Sequence, residues 1–255
     1  MGMDLGGIAP GKLADILVFD DLMKLKPKKI FVGGMLVLSN GTIVSKIKKH
    51  PVPKWMTKTV KLNKFTEDNF SIKSHSDLVD VNVIDMKTEI ITKKGHETLS
   101  VKDENVIPSY DKDVWKVAAF DRTFGSTKHA VGFLKNFGPR IGAFASTWSF
   151  HENNMIVIGS NEKDMAIAAN SLLRTQGGMV VVYKGKILSS MPLQMAGIMS
   201  TDSFEKTSKN FSDINNMLLD SGCKFKKPHL IPLFLPFLAL PEIRILHQGI
   251  IDVKS

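Results

Sequence analysis

The sequence has a single cysteine, Cys223, in 255 residues. One thiol excludes an intramolecular disulfide and suits a reducing, cytoplasmic compartment. Following Gly222, it reads as an inert small side chain rather than a nucleophile. Histidine is scarce and scattered: positions 50, 75, 96, 129, 151, 229 and 247 include no pair at i, i+2 or i, i+4. The chain therefore shows no HxH or HExxH pair and no metal-ligand cluster of its own. No long apolar run is present either. The longest, Leu230–Leu240, is interrupted by Pro232 and Pro236 and is too short to span a bilayer, so no membrane span is expected. The amino terminus lacks the basic start and apolar core of a signal peptide. Basic residues outnumber acidic ones by 34 to 25, but they are not interleaved with exposed aromatics in a recognisable module, which argues against nucleic-acid binding. The basic runs at Lys24–Lys29, Lys46–His50 and Lys54–Lys64 read as solvated faces.

What is present is apolar patterning sufficient for a sizeable core, with 43% hydrophobic residues and room for two domains. The organising stretch is Ala143–Ser200, above all from Met155 onward. Met155–Gly159 reads as a buried strand. Ser160 or Asn161 can cap a following helix with Glu162 and Asp164 in its first turn, and Met165, Ala168, Ala169, Leu172 and Leu173 recur at helical spacing. Gly177-Gly178 stops it, Met179–Tyr183 is a second strand, and a turn at Lys184-Gly185-Lys186 returns through Ile187–Ser190. A strand–helix–strand unit of this length predicts a parallel pair with a right-handed crossover, then a hairpin.

Before residue 50 the pattern is all-β. Strands are predicted at Ala14–Phe19, Lys29–Val32, Met35–Leu38 and Thr42–Ile47, with turns at Gly33-Gly34 and Asn40-Gly41. His50-Pro-Val-Pro53 breaks this pattern and places a boundary near residues 50–60. Beyond it, Leu62–Ser74 and Leu78–Thr92 read as half-buried strands, 93–113 as loop, and Val114–Phe120 and Ile141–Thr147 as strands. Asp202–Asp220 is a helix capped by Thr201 or Asp202, with Phe204, Phe211, Ile214, Met217 and Leu218 on one face and Gly222 as its stop. Leu230–Leu240 is expected to pack, and Ile243–Leu246 and Ile250–Val253 close the chain as strands. Met191, Met195 and Met199 read as core filler. The fold class is α+β: a small partial β-sandwich over 1–55, then a mixed α/β domain over 56–255.

Two constellations carry possible chemistry. Asp121-Arg122, at a strand end, reads either as an exposed ion pair or as a pair orienting a polar ring edge or a partner's loop. Phe150-His-Glu-Asn-Asn154 lies between two strands, a natural place for a site loop. There His151 is either simply solvated or shuttles protons with its tautomer fixed by Glu152 or Asn153, and Asn154 is a contact candidate.

The stretch Gly7-Ile-Ala-Pro-Gly-Lys-Leu-Ala-Asp-Ile-Leu-Val-Phe-Asp20 with Ile30-Phe-Val-Gly-Gly34 resembles the segment after the catalytic barrel of amidohydrolases. Together with Ala143–Ser200 and Phe237-Leu-Ala-Leu-Pro-Glu-Ile-Arg-Ile-Leu-His-Gln-Gly-Ile-Ile-Asp252, it resembles the carboxy-terminal half of bacterial and archaeal adenine deaminases. The resemblance implies hydrolysis of adenine to hypoxanthine and ammonia in purine salvage, by water activated on a divalent metal, manganese or iron, held in a barrel this chain lacks. It further implies a histidine after Asp121-Arg122, where Thr123 and Phe124 stand. At 150–153 it implies a histidine–aspartate pair and a second histidine, where Phe150, His151, Glu152 and Asn153 stand. The expected partners are adenine and a separate barrel-bearing chain, or a second copy joined through residues 8–47, whose strands should expose edges built to be covered. The alternatives are a degenerate, inactive homologue serving as a binding module, and a truncated gene product.

Overall fold

The computed structural model describes residues 4–46, 50–126 and 128–253, and the chain divides into two compact units, Met1–Pro51 and Val52–Ser255. The first is an antiparallel meander of β1 (Ile16–Val18), β2 (Lys29–Val32), β3 (Met35–Ser39) and β4 (Thr42–Ile43), in that order across the sheet. Two-residue turns at Gly33-Gly34 and Asn40-Gly41 join β2 to β3 and β3 to β4, while residues 19–28 form the longer connection from β1 to β2. Two strands are shorter than the pattern predicts: β1 spans three residues, and β4 ends at Ile43, with Ile47 outside the described residues. None of residues 4–46 is buried, and Leu17, Val32, Met35 and Ile43 are exposed. A sheet this small, with neither face covered, cannot hold a core of its own.

The second unit is built on a nine-stranded sheet. Its strands are β5 (Leu78–Met86), β6 (Thr92–Lys102), β7 (Asn105–Val106), β8 (Val114–Asp121), β9 (His129–Lys135), β10 (Ala143–Ser146), β11 (Asn154–Gly159), β12 (Gly178–Tyr183) and β13 (Lys186–Pro192), arranged β13-β12-β10-β11-β8-β9-β5-β6-β7. On one face lies α1 (Glu162–Thr175), over Ala118, Phe120, Ala145, Val157 and Val180. On the other lie α2 (Phe204–Asp220), the short α3 (Ile231–Phe234) and the hairpin of β14 (Glu242–Leu246) and β15 (Gly249–Val253), over Trp115, Val117, Ile156 and Val181. Alternate residues of β8 thus feed two cores, which is why its run is apolar almost throughout. The fold is α+β, as the pattern predicts.

The strand–helix–strand–hairpin order holds, but the predicted parallel pair does not form. β11 and β12 run in the same direction with β10 between them, antiparallel to both through Ala143↔Gly159 and Ala143↔Val182. The small, apolar Ala143–Ser146 segment fits between two buried neighbours, and nothing in local periodicity announces such an insertion. Asn161 caps α1 by accepting from the Asp164 amide at 2.9 Å. The helix stops one residue before the predicted glycines, at Gln176, whose φ is +57°. α2 is capped by Ser203, not by Thr201 or Asp202, and Phe204, in phase with Phe211 but at the first helical residue, is 82% exposed.

Two further expectations are corrected. Residues 62–74 form no strand; they carry a single 3₁₀ turn, Glu67–Phe70, and place Phe65 and Phe70 against Phe120. Residues 93–113, predicted as loop, contain most of β6 and all of β7: polar side chains facing water hide a strand whose register with β5 runs unbroken from Leu78↔Ser100 to Met86↔Thr92. The apolar tail packs, with Ile231, Leu233 and Leu235 buried. Met191 is core, whereas Met199 is 43% exposed. Cys223 is buried, and burial pushes its thiol up to about 11, the inert behaviour expected of it. Among the described residues no helix is long and apolar enough to cross a membrane.

His229, under α2, hydrogen-bonds through Nδ1 to Asn215 Oδ1 at 2.7 Å and meets the Phe211 ring at 4.3 Å. Burial, aided by the charge of Lys227 and opposed by that of Glu89, lowers its pKa from 6.5 to about 4. As pH falls the unfolded chain takes up this proton first. The stability contributed by neutral His229 is therefore full above about pH 6.5 and lost towards pH 4, a span worth about 3 kcal/mol. Urea midpoints at pH 7 and pH 4.5 should differ markedly in the parent chain and much less in His229→Gln.

Candidate functional site

The antiparallel register gathers one set of loops at a single end of the nine-stranded sheet. β8 ends at Asp121, paired with Asn154 at the start of β11, and β10 ends where β12 begins, Ser146 opposite Met179. The segments 121–124, 147–154 and 193–197 therefore converge, and the 246–249 turn of the β14–β15 hairpin joins them.

Asp121 and Arg122 act separately. The Asp121 carboxylate accepts the amides of Thr123 at 3.0 Å and Phe124 at 3.2 Å, closing the turn after β8. Arg122 is 2% exposed; its Nη1 donates to the Ala196 carbonyl and its Nη2 to Asn153 Oδ1, each at 3.1 Å. Burial lowers the guanidinium to about 10, the charge of Asp121 opposing, so it remains charged at neutral pH. Its Nε is buried with no hydrogen-bond partner among the described residues. Arg122 is thus a clamp joining two loops, and its own carbonyl accepts from the Lys61 amide at 2.8 Å. The neighbouring Thr147 hydroxyl binds the second of those loops, donating to Gly197 O at 2.7 Å and accepting from Gly178 N at 2.8 Å.

The 150–154 loop is held from within. Asn153, at φ +52°, donates through Nδ2 to the His151 carbonyl at 3.2 Å. Glu152 has a side chain only 4% exposed and accepts from the Leu238 amide at 3.2 Å. The His151 imidazole is 86% exposed, with Nδ1 3.4 Å from Glu152 Oε1. A carboxylate anchored in the protein thus stands behind a solvent-facing imidazole.

Asn154 is 1% exposed and ties this loop to the hairpin. Its Nδ2 donates to Glu152 O, and its Oδ1 accepts from both the amide and Nδ1 of His247, all at 3.0 Å. Since Asn154 Oδ1 can only accept, Nδ1 of the half-buried His247 is the donor of this contact. His247 was not singled out from the sequence; its only signal was a His-Gln-Gly turn between two apolar strands.

The donor set does not suit a metal ion. Of the oxygens here, Asn153 Oδ1 is committed to Arg122, Asn154 Oδ1 to His247, and Glu152 Oε1 to the Leu238 amide. Among the described residues no group of three His, Cys, Asp or Glu converges as ligands.

Residues 89–255 match the family model of the adenine deaminase C-terminal domain. An adenine deaminase of Cenarchaeum symbiosum is 50% identical over 256 residues, covering 100% of this chain and 42% of the relative. One from Clostridium botulinum strain Langeland is 35% identical over 100% of this chain and 43% of the relative, and one from Staphylothermus marinus is 31% identical over 98% and 42%. The chain thus spans about two-fifths of the length of these curated relatives. On this match the chain belongs to the adenine deaminase family and corresponds to its C-terminal part.

Proposed function

We propose that this chain works as one half of an adenine deaminase, with a separately supplied barrel carrying the divalent metal, manganese or iron, that activates water for hydrolysis of adenine to hypoxanthine and ammonia. The observation that carries this reading is the family match, which covers this chain end to end but only two-fifths of each relative. The hydrolytic step then lies with the barrel, and this chain's residues position and move protons. Arg122 fixes the 150–154 loop through Asn153, Glu152 backs His151 for proton transfer, and buried Asn154 orients His247 as a polar edge for the purine. The first unit, with none of residues 4–46 buried, is the surface a partner would cover. The single buried Cys223 is consistent with action in the cytoplasm.

A second reading is favoured by Arg122, both of whose Nη groups are spent inside the protein. On that reading the chain binds a barrel-bearing partner without supporting catalysis. One experiment separates the two. The part of the Cenarchaeum symbiosum relative that this chain does not match is produced with manganese and mixed with the chain. The expected result is a complex on size-exclusion chromatography, slowed hydrogen exchange in β1–β4, and ammonia release from adenine that a chelator abolishes. A complex without ammonia establishes the second reading, and the absence of a complex overturns both.

A further inference from the structure

The β14–β15 hairpin is seated on the sheet by the Thr92 hydroxyl, which donates to Ile243 O at 2.7 Å. Beside this contact lies a cavity of about 200 Å³ between the hairpin and strands β5 and β6. Its floor is aliphatic: Ile84 and Ile243 are buried and Ile250 is 42% exposed. Its rim is polar, and register explains why. Asn82 lies two residues before Ile84 on the same face of β5, Lys94 pairs directly with Ile84 across β6, and Asp252 lies two residues after Ile250 on β15.

The three rim groups differ from their surroundings. Asp85 pairs with Lys87 at 2.6 Å, and Glu97 pairs with Lys135. The Lys94 ammonium, the Asp252 carboxylate and the Asn82 amide, by contrast, have no hydrogen-bond or ion-pair partner among the described residues. Opposite charges thus stand on one small rim without neutralising each other, over an apolar floor.

We propose that this cavity binds a small zwitterion with an aliphatic side chain, an α-amino acid of the leucine type. Its carboxylate meets Lys94, its ammonium meets Asp252, and its side chain lies over Ile84, Ile243 and Ile250. A purely apolar occupant would desolvate both rim charges without replacing their water, and a singly charged one would match only one of them. The volume, below the roughly 300–1,000 Å³ of sites for drug-sized ligands, suits a metabolite of this size. The cavity shares the β14–β15 hairpin with the loop cluster but none of that cluster's polar groups, and the proposal does not rest on the chain's proposed part in deamination.

Calorimetric titration of the full chain tests this with L-leucine, isovalerate and isoamylamine. Saturable one-to-one leucine binding is expected, with either single-charge analogue weaker by about tenfold or more, since each lacks one charge-assisted contact. The exposed-rim variants Lys94→Met and Asp252→Asn should each weaken leucine by a similar factor, with unchanged melting of the free protein. Absence of leucine binding, equal binding of an analogue, or variants that bind as the parent does would each overturn the proposal.

Discussion

Lys116→Ala is expected to destabilise the second unit by about 3–5 kcal/mol, the range for stripping one partner from a buried ion pair. Lys116 lies in the middle of β8 and is fully buried. Its ammonium donates to Glu162, the first residue of α1, and to Asn105 Oδ1 at 3.0 Å. The Asn105 amide in turn donates to Glu162 Oε1 at 2.7 Å, and its oxygen accepts from the Ile72 amide at 2.9 Å. One lysine therefore pins α1, the β7 edge and the segment before β5 to the centre of the sheet. Burial lowers the pKa of Lys116, and Glu162 only partly offsets this. Burial also pushes Glu162 up, but the hydrogen bond and charge of Lys116, with backbone and Asn105 contacts, hold it below the usual carboxylate value. The contribution of Glu162 is accordingly present above its unfolded pKa and lost as pH falls through its lower folded one. Lys116 carries the opposite burden: kept charged against burial at neutral pH, it costs stability that returns only as pH rises towards its unfolded value. Because the Lys116 ammonium does not recover its own desolvation, the double variant Lys116→Met with Glu162→Gln, which leaves no unpaired buried charge, should recover much of what Lys116→Ala loses. Urea unfolding of the three proteins at pH 7 decides the matter. A single variant that unfolds with the parent would show the network to be dispensable.

This network also marks where sequence reading stops. Signals confined to one segment were legible: the β-branched Lys29–Val32 strand, the Asn161 cap and the Lys184-Gly185 hairpin all depend on neighbours in the chain. β6 was not legible, because most of its polar side chains face water and its existence depends on pairing with β5. Nor was the place of β10 between β11 and β12, a matter of which strand fills a gap. The site divides along the same line. Asp121, Arg122, His151, Glu152 and Asn154 stand out as polar residues at strand ends, and the fold brings them to one loop cluster. Their working partners are distant in sequence: Ala196 lies 74 residues from Arg122, Leu238 lies 86 from Glu152, and His247 lies 93 from Asn154. Hydrogen bonds over such separations leave no periodicity, so a sequence motif names the side chains but not whether they face a ligand or the protein. For Arg122 it is the protein.

The loop that receives Arg122 depends in turn on a glycine at the start of β12. Gly178 has φ +141°, and a Cβ there would stand 2.3 Å from the Met191 carbonyl and 3.1 Å from Pro192 Cα, both backbone atoms. Its amide also donates to Thr147 Oγ1, and its carbonyl accepts from the Thr147 amide at 2.9 Å, so the residue cannot move alone. Gly178→Ala therefore combines backbone strain with a clash that only displacement of the end of β13 relieves, a loss of about 3 kcal/mol or more. For a unit of this size that lowers the melting temperature by about 6–12 °C. Gly185, in the Lys184-Gly185 turn, supplies the control. Its φ is +77°, yet a Cβ there meets nothing within 4 Å, so Gly185→Ala isolates the cost of the conformation, about 1 kcal/mol. The displaced segment continues directly into residues 193–197, whose Ala196 carbonyl and Gly197 carbonyl hold Arg122 and Thr147. Gly178→Ala should consequently also speed hydrogen exchange in the 121–124 and 150–154 loops, whereas Gly185→Ala, at the opposite end of the sheet, should not. Equal melting losses in the two variants would mean that the carbonyl at 2.3 Å is no obstacle, and that the β12–β13 seam yields more easily than its geometry requires.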